Sequence, residues 1–252
     1  MKKLSFCITC KNRFHQIEQT LPVNLKMNRA HHAAIEFVLV DFGSKDGLQE
    51  HVLRHFREEL ELGYLRYYYT SAMDSWHASI AKNTAHALSV GEVLVNLDCD
   101  NFTGENGGQF ILDLYDTYGP DVLLHQFSGH FADGSFGRIG MAREHFMAIG
   151  GYNESFLPMG YQDIDLIKRL MRYGLRYELV NDPAYNTALV NTKEDSMRNT
   201  QSRLSYKEMN RYNFNLSREN LLKGEINTTS FAAPGMNTGL YQYVNGSMAA
   251  IS

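Results

Sequence analysis

The 252-residue sequence has no excess of basic residues and no long apolar run. Lys and Arg number 24 against 28 Asp and Glu, which leaves a formal net charge of −4. Nucleic-acid-binding proteins usually carry a basic excess or a clustered basic face, so we expect no nucleic-acid partner. No stretch approaches the ~20 apolar residues that cross a bilayer. We therefore expect no transmembrane segment and at most peripheral membrane contact.

Cysteine is also scarce, with three residues. Cys7 and Cys10 have CxxC spacing, but no second pair or histidine cluster completes a zinc site. The odd count favours reduced, structural thiols over a redox motif. The apolar run near the start stops at Lys11 without a cleavage site, unlike a signal peptide. These features predict a soluble cytoplasmic chain, with any membrane contact at the inner face.

Residues that interrupt regular structure are few. Pro (5) and Gly (20) together make about a tenth of the chain, and 12% of its residues are aromatic, which argues against disorder for the bulk. The length suits one large domain. Such a domain can bury a substantial core without disulfides or structural metals.

Short apolar runs alternate with helical patterns along the first half. The runs predict strands over residues 4–9, 36–40, 65–69 and 92–97. Apolar residues at helical spacing predict helices over 14–25, 48–60 and 75–88, the first kinked or split at Pro22. Strands separated by helices form βαβ units, so we expect an α/β domain with a mostly parallel central sheet flanked by helices.

The second half is less regular. Strands are predicted over 122–127, 136–141 and 176–180, and helices over 143–149, 163–173 and 202–223. From Gly224 onward the chain is rich in Asn, Thr, Gly and Ser, and we expect it to be extended or disordered, as a lid would be. One domain is thus predicted over residues 1–200, followed by a helical extension and flexible tail over 201–252.

Polar side chains follow the predicted strands where these end. The residues after strands one, two and four are, in order, Thr9 with Lys11-Asn12-Arg13, Asp41, and Asp98 with Asp100. In open α/β sheets, ligands bind beyond the carboxyl ends of the strands. The pattern therefore predicts one polar crevice built from three strand ends.

The Asp98-Cys99-Asp100 segment directly follows a buried strand. Carboxylates at i and i+2 on a strand point to the same side. They raise one another's pKa unless a cation lies between them. Oxygen ligands suit Mg²⁺ or Mn²⁺, which leave positions open for water and substrate phosphates. The alternative is an acidic turn that closes the strand, and the position at a strand end favours metal binding.

Two further acidic segments allow a structural and a functional interpretation. The loop from Asp41 to Gly47 is either a βα turn that caps the next helix or a site where a carboxylate accepts from a base N–H or ribose hydroxyl. Asp163 and Asp165 open a helix after Gly150-Gly151. There they serve either as caps or, for a carboxylate facing the crevice, as a general base for a hydroxyl nucleophile.

These segments together resemble the GT-A glycosyltransferases, especially family 2 enzymes and the N-terminal galactosyltransferase-type domain. The matching pieces are ITCKNR, VDFGSKDG, AKNTAHALSVGEVLVNLDCDN and GGYNESFLPMGYQDIDL. The resemblance covers about residues 4–195. It implies a single Rossmann-like GT-A domain, with a nucleotide-binding half to about residue 105 and an acceptor half from about 106 to 200.

The resemblance also implies roles for individual residues. Thr9 and Asp41 would hold the uracil and ribose of a UDP-sugar, and Lys82 would lie near the nucleotide. Asp98 and Asp100 would contact the ribose and a Mn²⁺ or Mg²⁺ ion on the diphosphate. The other residues assigned to the donor nucleotide are Asn12 and Arg13, and those assigned to the donor or acceptor sugar are Trp76, Arg138, Gly150, Gly151, Gln162 and Asp165.

Two positions depart from the family pattern. The first member of the family's Glu-Asp pair is Gln162 here, which leaves Asp163 as the base. The family's further metal-ligating His corresponds to about Asn191, a poor ligand for Mn²⁺ but tolerable for Mg²⁺. A packing role for Trp76 and a structural ion pair for Arg138 remain open.

The resulting prediction is a metal-dependent, inverting transfer of a hexose from a UDP-sugar to a hydroxyl of a glycan or glycolipid, as in polysaccharide biosynthesis. Two alternatives remain open. Gln162 and Asn191 also fit a catalytically degenerate relative that only binds nucleotide-sugar. A sugar-phosphate nucleotidylyltransferase has a related fold, but its glycine-rich loop after strand one is absent. The mixed charges over residues 202–223 favour a solvated face over a membrane-docking helix.

Overall fold

The β-strands form where the sequence has its short apolar runs. A computed structural model describes residues 2–131, 133–227 and 239–251. Within these residues the strands are β1 (Leu4–Cys10), β2 (Ile35–Asp41), β3 (Leu65–Thr70), β4 (Val93–Asn96), β5 (Val122–His125), β6 (Ile139–Ala142), β7 (Arg176–Leu179), β8 (Leu240–Val244) and β9 (Ser247–Ala250). The seven strands predicted from the sequence are all present.

The strands belong to one sheet with the order β7-β5-β6-β4-β1-β2-β3-β8-β9. Its four central strands, β4, β1, β2 and β3, run parallel. Antiparallel pairs lie outside them, with β6 between β4 and β5 on one side and β8 beside β3 on the other. The predicted parallel central sheet is confirmed for these four strands, whose carboxyl ends share one edge.

Helices connect the strands and cover both faces of the sheet. The α-helices are α1 (Phe14–Met27), α2 (Leu48–His55), α3 (Arg57–Glu61), α4 (Ala78–Leu88), α5 (Gly107–Tyr118), α6 (Arg143–Ala148), α7 (Gln162–Tyr173), α8 (Lys193–Met197) and α9 (Tyr206–Leu222), and two short 3₁₀ helices span Arg29–His31 and Ser135–Gly137. Within the described part of the chain, no helix combines the length and apolar content that a bilayer span requires.

The sheet separates two apolar clusters, because successive residues of a buried strand point to opposite faces. In β1, Phe6 and Ile8 belong to the cluster beneath α1, α2 and α5, and Cys7 belongs to the one beneath α4, α6 and α7. A strand buried on both faces has no polar alternation. This is why β1 and β2 are continuous apolar runs in the sequence.

Four local features differ from the prediction. The helix predicted over 48–60 is divided at Phe56 into α2 and α3. Helix α1 continues through Pro22 and is not split. Helix α4 begins at Ala78 with His77 as its N-cap, so Trp76 lies in the preceding loop. Helix α5 has no predicted counterpart. It opens with Gly107 and Gly108, which disfavour a helix locally. A Cβ at Gly108 would lie 2.4 Å from Ile35 Cδ1, so close packing accounts for this glycine.

The predicted extended or disordered tail also differs from the structure. Residues 228–238 lie outside the described residues, but β8 and β9 form a hairpin that joins the central sheet at β3. Its turn is Asn245-Gly246, with φ of 50° and 89°. Positive φ at both positions suits a two-residue hairpin, and Asn-Gly between alternating apolar residues is its sequence signal. The boundary at residue 200 stays a prediction.

Candidate active site

A cavity of about 400 Å³ opens at the carboxyl ends of β1 and β4. Thr9, Lys11 and Arg13 line it from the end of β1, and Asp98, Cys99 and Asp100 line it from the end of β4. The loop before α4, the start of α7 and the segment around α8 complete the walls. The cavity thus lies where parallel-sheet topology predicts a ligand site.

Asp98 and Asp100 lie in different electrostatic environments. The side chain of Asp98 is 32% exposed, whereas Asp100 is 5% exposed. Burial would raise the pKa of Asp98, but the Lys82 ammonium and the Asn96 amide hold it below its ordinary value. Burial and the neighbouring charge of Asp98 raise the pKa of Asp100. The pair therefore carries negative charge that a cation would stabilise further.

Buried amides fix the backbone that carries these two aspartates. Asn24 of α1 donates to the carbonyl of Asn101 (2.9 Å) and accepts from the backbone N–H of Thr103 (2.8 Å). One helical turn later, Asn28 donates to the hydroxyl of Thr103 (2.8 Å) and accepts from the Gly108 N–H. Because paired buried amides are costly to separate, α1 holds the acidic loop in one position.

Lys82 of α4 connects the acidic loop with α7. Its Nζ lies 2.7 Å from Asp163 Oδ1 and 3.4 Å from Asp98 Oδ1. Burial would lower the pKa of Lys82, but the charges of Asp163 and Asp98 raise it above its ordinary value. The buried side chain is therefore a permanent ammonium between two carboxylates.

Asp163 faces the cavity from the first turn of α7. Its side chain is 14% exposed, and its second carboxylate oxygen accepts from Gln162 Nε2 at 3.3 Å. Tyr161 precedes the helix in the left-handed conformation (φ 68°) and also lines the cavity. A carboxylate held in this way can accept a proton from a hydroxyl that binds in the cavity.

Asn191 contacts both Asp100 and Arg13. Its Nδ2 donates to Asp100 Oδ2 (3.2 Å), and its Oδ1 accepts from Arg13 Nη2 (3.3 Å). The amide oxygen, the only atom of this side chain that can ligate a hard cation, therefore faces a guanidinium. A metal at this position requires the amide to turn over.

Comparisons with known proteins agree with this architecture. Residues 126–191 match the family model of the N-terminal domain of galactosyltransferase. Staphylococcus aureus TarS, residues 1–349 in complex with UDP-GlcNAc, superposes with a TM-score of 0.65 at 14% identity, over 93% of this chain and 70% of that chain. The chain has the GT-A glycosyltransferase fold.

Two further GT-A structures are similar. The Drosophila β1,4-galactosyltransferase 7 in complex with manganese, UDP-Gal and xylobiose has a TM-score of 0.56 at 14% identity, over 84% of this chain and 80% of that chain. The Pyrobaculum calidifontis mannosyltransferase PcManGT in complex with GDP-Man and Mn²⁺ has a TM-score of 0.60 at 16% identity, over 92% of this chain and 77% of that chain. A search of curated proteins found no matching sequence.

Two residues predicted to bind the donor nucleotide do not line the GT-A cavity. Asp41 is fully buried and accepts from the Ser44 N–H and the Tyr67 hydroxyl, both at 2.8 Å. Burial raises its pKa. Asn12, with φ of 51°, accepts from the Lys45 N–H and donates to Asn199. Both side chains hold loops together. The Asp41 segment is thus a βα turn, but it does not cap the next helix through a side chain, since the N-cap of α2 is Gly47.

Arg138 and Asp165 form buried contacts within the fold. Arg138 is 1% exposed and donates to Asn101 Oδ1 (2.8 Å), to the Thr187 carbonyl (2.9 Å) and to the Tyr185 carbonyl. Burial lowers its pKa to about 10. Asp165 forms a buried ion pair with Arg169 at 2.7 Å. Neither residue lines the cavity, and their predicted sugar contacts stay predictions.

Gly150 and Gly151 form the turn after α6. Both have positive φ, 72° and 66°, which favours glycine. A Cβ at Gly151 would lie 2.5 Å from Asn83 Oδ1 and 2.9 Å from Phe146 Cζ. These contacts explain the glycines by backbone conformation and packing, and neither residue lines the cavity.

The cavity includes residues that the sequence did not single out. Trp76 and Gln162 line it as predicted, together with Phe131, Gly134, Phe136, Gly137, Tyr161, Ile164, Ser196 and Asn199. Asn199 accepts through its backbone carbonyl from the Trp76 N–H (2.8 Å) and donates through its side chain to the Lys11 carbonyl (2.7 Å). These contacts fold the segment around α8 across the end of β1. They join residues more than a hundred positions apart, so no local sequence signal indicates them.

The donor set suits a hard divalent cation. Among the described residues, no group of three or more His, Cys, Asp or Glu could hold a metal. Asp98, Asp100 and Asn191 offer two carboxylates and one amide oxygen. Mg²⁺ and Mn²⁺ accept such ligands and take their remaining ones from water and substrate phosphates. Asp98 and Asp100 fit a metal that a nucleotide diphosphate helps to hold, and Asn191 could join them once its amide turns over.

Proposed function

We propose that the chain is a metal-dependent glycosyltransferase that moves a hexose from a UDP-sugar to a hydroxyl of a glycan or glycolipid with inversion. The observation that carries this proposal is that Asp163 and the Asp98–Asp100 pair line one cavity of a GT-A fold. UDP-Gal and UDP-GlcNAc, bound in two similar structures, support a UDP-sugar donor.

We assign the residues of the cavity to separate roles in the proposed reaction. Thr9, Arg13 and Lys82 line the cavity. Thr9 and Arg13 would contact the nucleotide, and the Lys82 ammonium would add positive charge beside the diphosphate. Asp98, Asp100 and Asn191 would hold Mn²⁺ or Mg²⁺, which when bound neutralises charge on the leaving diphosphate. The Lys82 ammonium would thus add to the stabilisation of the bond-breaking end of the reaction.

Asp163 acts at the bond-forming end. Its carboxylate accepts the proton of the acceptor hydroxyl while the hydroxyl oxygen forms a bond to the anomeric carbon and the bond to the diphosphate breaks. A single displacement of this kind inverts the anomeric configuration. The ion pair with Lys82, at 2.7 Å from Asp163 Oδ1, holds the carboxylate in position beside the cavity.

The test is Asp163→Asn, which retains the shape and removes the base. Release of UDP from UDP-sugars, measured with a panel of glycan acceptors and Mn²⁺, should fall by roughly 10²–10⁴-fold, while titration of UDP should give an unchanged affinity. An Asp163→Asn variant with wild-type turnover would remove Asp163 from the base role.

A catalytically degenerate nucleotide-sugar-binding protein is the second candidate. Three observations favour it. Gln162 stands in place of an acid, Asn191 turns its amide nitrogen toward Asp100, and the ammonium of Lys82 competes for the Asp163 oxygen. The two candidates differ in turnover. UDP binding without UDP release, across UDP-sugars and acceptors in both Mg²⁺ and Mn²⁺, would establish the degenerate protein.

A further inference from the structure

The exposed side of α9 separates its charges by sign. At 100° per residue, Lys207, Arg211, Phe214, Arg218 and Leu222 form one stripe along the helix, which we call the α9 stripe. All five side chains are exposed, Leu222 to 77% and Phe214 to 38%. The mixed signs in the linear sequence thus become a basic and apolar stripe on the folded helix.

Both acidic residues of α9 lie at the border of this stripe and have local partners. Glu208 completes the capping box with Ser205 at the start of the helix. Glu219 pairs with Lys223 at 2.7 Å. Glu208 also interacts with the charge of Arg211, so it borders the stripe at that residue, whereas the carboxylate of Glu219 is held by Lys223 outside the stripe.

Helix α7 extends the stripe into a wider surface. Its exposed residues Lys168, Met171 and Arg172 are spaced i, i+3 and i+4, and they meet Leu221 and Leu222 in a shallow depression. We call the α9 stripe and these three α7 residues the basic–apolar face. It carries five cations on a chain whose formal net charge is −4.

We propose that the basic–apolar face docks the protein onto an anionic lipid bilayer. Anionic headgroups complement the five cations, and the exposed Leu222, Phe214 and Met171 side chains can enter the boundary between headgroups and acyl chains. A soluble polyanion would satisfy the cations but would leave these apolar side chains in water. The combination therefore favours a bilayer.

The face lies beside the candidate active site. The ring of Phe214 packs edge-on against the ring of Tyr161, with 5.3 Å between their centroids, and Tyr161 lines the cavity. Lys168 of the same face donates to the Tyr161 hydroxyl at 2.8 Å. Docking would thus bring the acceptor side of the cavity to the membrane surface, a consequence that rests on the proposed transfer and suits an acceptor anchored in lipid.

Co-sedimentation of the full chain with vesicles tests the docking without any sugar nucleotide. We expect binding to vesicles of phosphatidylcholine and phosphatidylglycerol that weakens with added salt, and no binding to phosphatidylcholine alone. The double variant Arg211→Glu/Arg218→Glu should bind roughly 25-fold more weakly, at about fivefold for each cation lost. Equal binding of the wild type to both kinds of vesicle would overturn the proposal.

A matched control has the same change in net charge at another surface. Lys26 and Arg54 are exposed on α1 and α2, so Lys26→Glu/Arg54→Glu should leave vesicle binding within about twofold of wild type. Equal losses in the two double variants would show that net charge alone drives binding and would contradict a docking face.

Leu222→Asn separates a bilayer from a soluble polyanion. This variant should weaken vesicle binding several-fold and leave binding to inorganic polyphosphate unchanged. Binding to polyphosphate but not to anionic vesicles would replace the proposal with a site for a soluble polyanion. Because no UDP-sugar is present, failure of this test would leave the proposed transfer unaffected, and a catalytically inactive protein could still dock.

Discussion

The ammonium of Lys82 lies 2.7 Å from the carboxylate of Asp163, inside the protein and 3.4 Å from Asp98. One buried cation thus connects the candidate base on α7 with the acidic loop after β4. The three residues come from different elements and act as one charged unit. Loss of the central charge should therefore affect both stability and activity.

The Lys82→Met variant removes this charge with little change in volume. We expect a loss of about 2–3 kcal/mol in the free energy of unfolding, because Asp163 and Asp98 lose their cation in a largely buried setting. Turnover should fall by roughly 10²-fold or more. Urea denaturation and UDP-release assays measure the two effects. Lys82→Arg keeps the charge and should retain most of the stability; equal losses in both variants would argue for packing over charge.

An Asn191→Asp substitution should strengthen metal binding. It places a third carboxylate beside Asp100, and its charge is balanced by Arg13. Calorimetric titration of Mn²⁺ in the presence of UDP should show affinity higher by on the order of tenfold. Asn191→Ala is the control and should bind Mn²⁺ no more tightly than wild type. Unchanged affinity in Asn191→Asp would mean that this position does not reach the metal.

Gly137 provides a test of how closely the acidic loop is packed. A Cβ at this position would lie 2.3 Å from Asp98 Oδ2, so Gly137→Ala must displace that carboxylate. We expect UDP affinity in Mn²⁺ to fall by roughly tenfold or more, with a smaller change in melting temperature. At Gly140, three residues later and within β6, an added Cβ would meet Val95 Cγ2 at 3.6 Å, an ordinary contact. Equal UDP affinity in Gly137→Ala and Gly140→Ala would contradict the predicted displacement.

His86 should make the folded protein sensitive to acid. Burial lowers the pKa of His86 to about 3, below its ordinary 6.5, and its ring donates to the Lys82 carbonyl and stacks on Phe146. Folding therefore favours the neutral ring. The contribution of His86 to the free energy of unfolding is complete above pH 6.5 and decreases as the pH falls toward 3. In this range the ring is protonated in the unfolded chain but not in the folded protein.

Between pH 7.5 and pH 5, the titration of His86 should lower the free energy of unfolding by about 2 kcal/mol. His86→Gln should lower the free energy of unfolding at neutral pH. In urea denaturation, the loss of this free energy between pH 7.5 and pH 5 should be smaller in the variant than in the wild type by the contribution of His86. His15 is exposed on α1, so His15→Gln should leave the wild-type slope unchanged. A His86→Gln slope equal to that of wild type would show that other groups control the acid sensitivity.

The sequence by itself determined the central sheet and the acidic edge of the site. Strands β1, β2 and β4 appear as mostly apolar runs because both of their faces are buried, and the side chains that follow them become polar where the sheet ends. Parallel strands bring those ends to one edge, which placed Thr9, Asp98 and Asp100 in the cavity correctly. The Asn245-Gly246 hairpin was also encoded locally, by a turn signal within a polar tail.

Only the tertiary structure decided which polar side chains serve the site and which serve the fold. Asp41 faces the Tyr67 hydroxyl, and the partners of Arg138 lie 37 to 49 residues away along the chain. The contact of Asn191 with Asp100 spans 91 residues. A polar group buried in the fold must find a partner, and that partner is chosen by distance in space. Sequence spacing therefore identifies the acidic groups, while the folded chain decides what each of them binds.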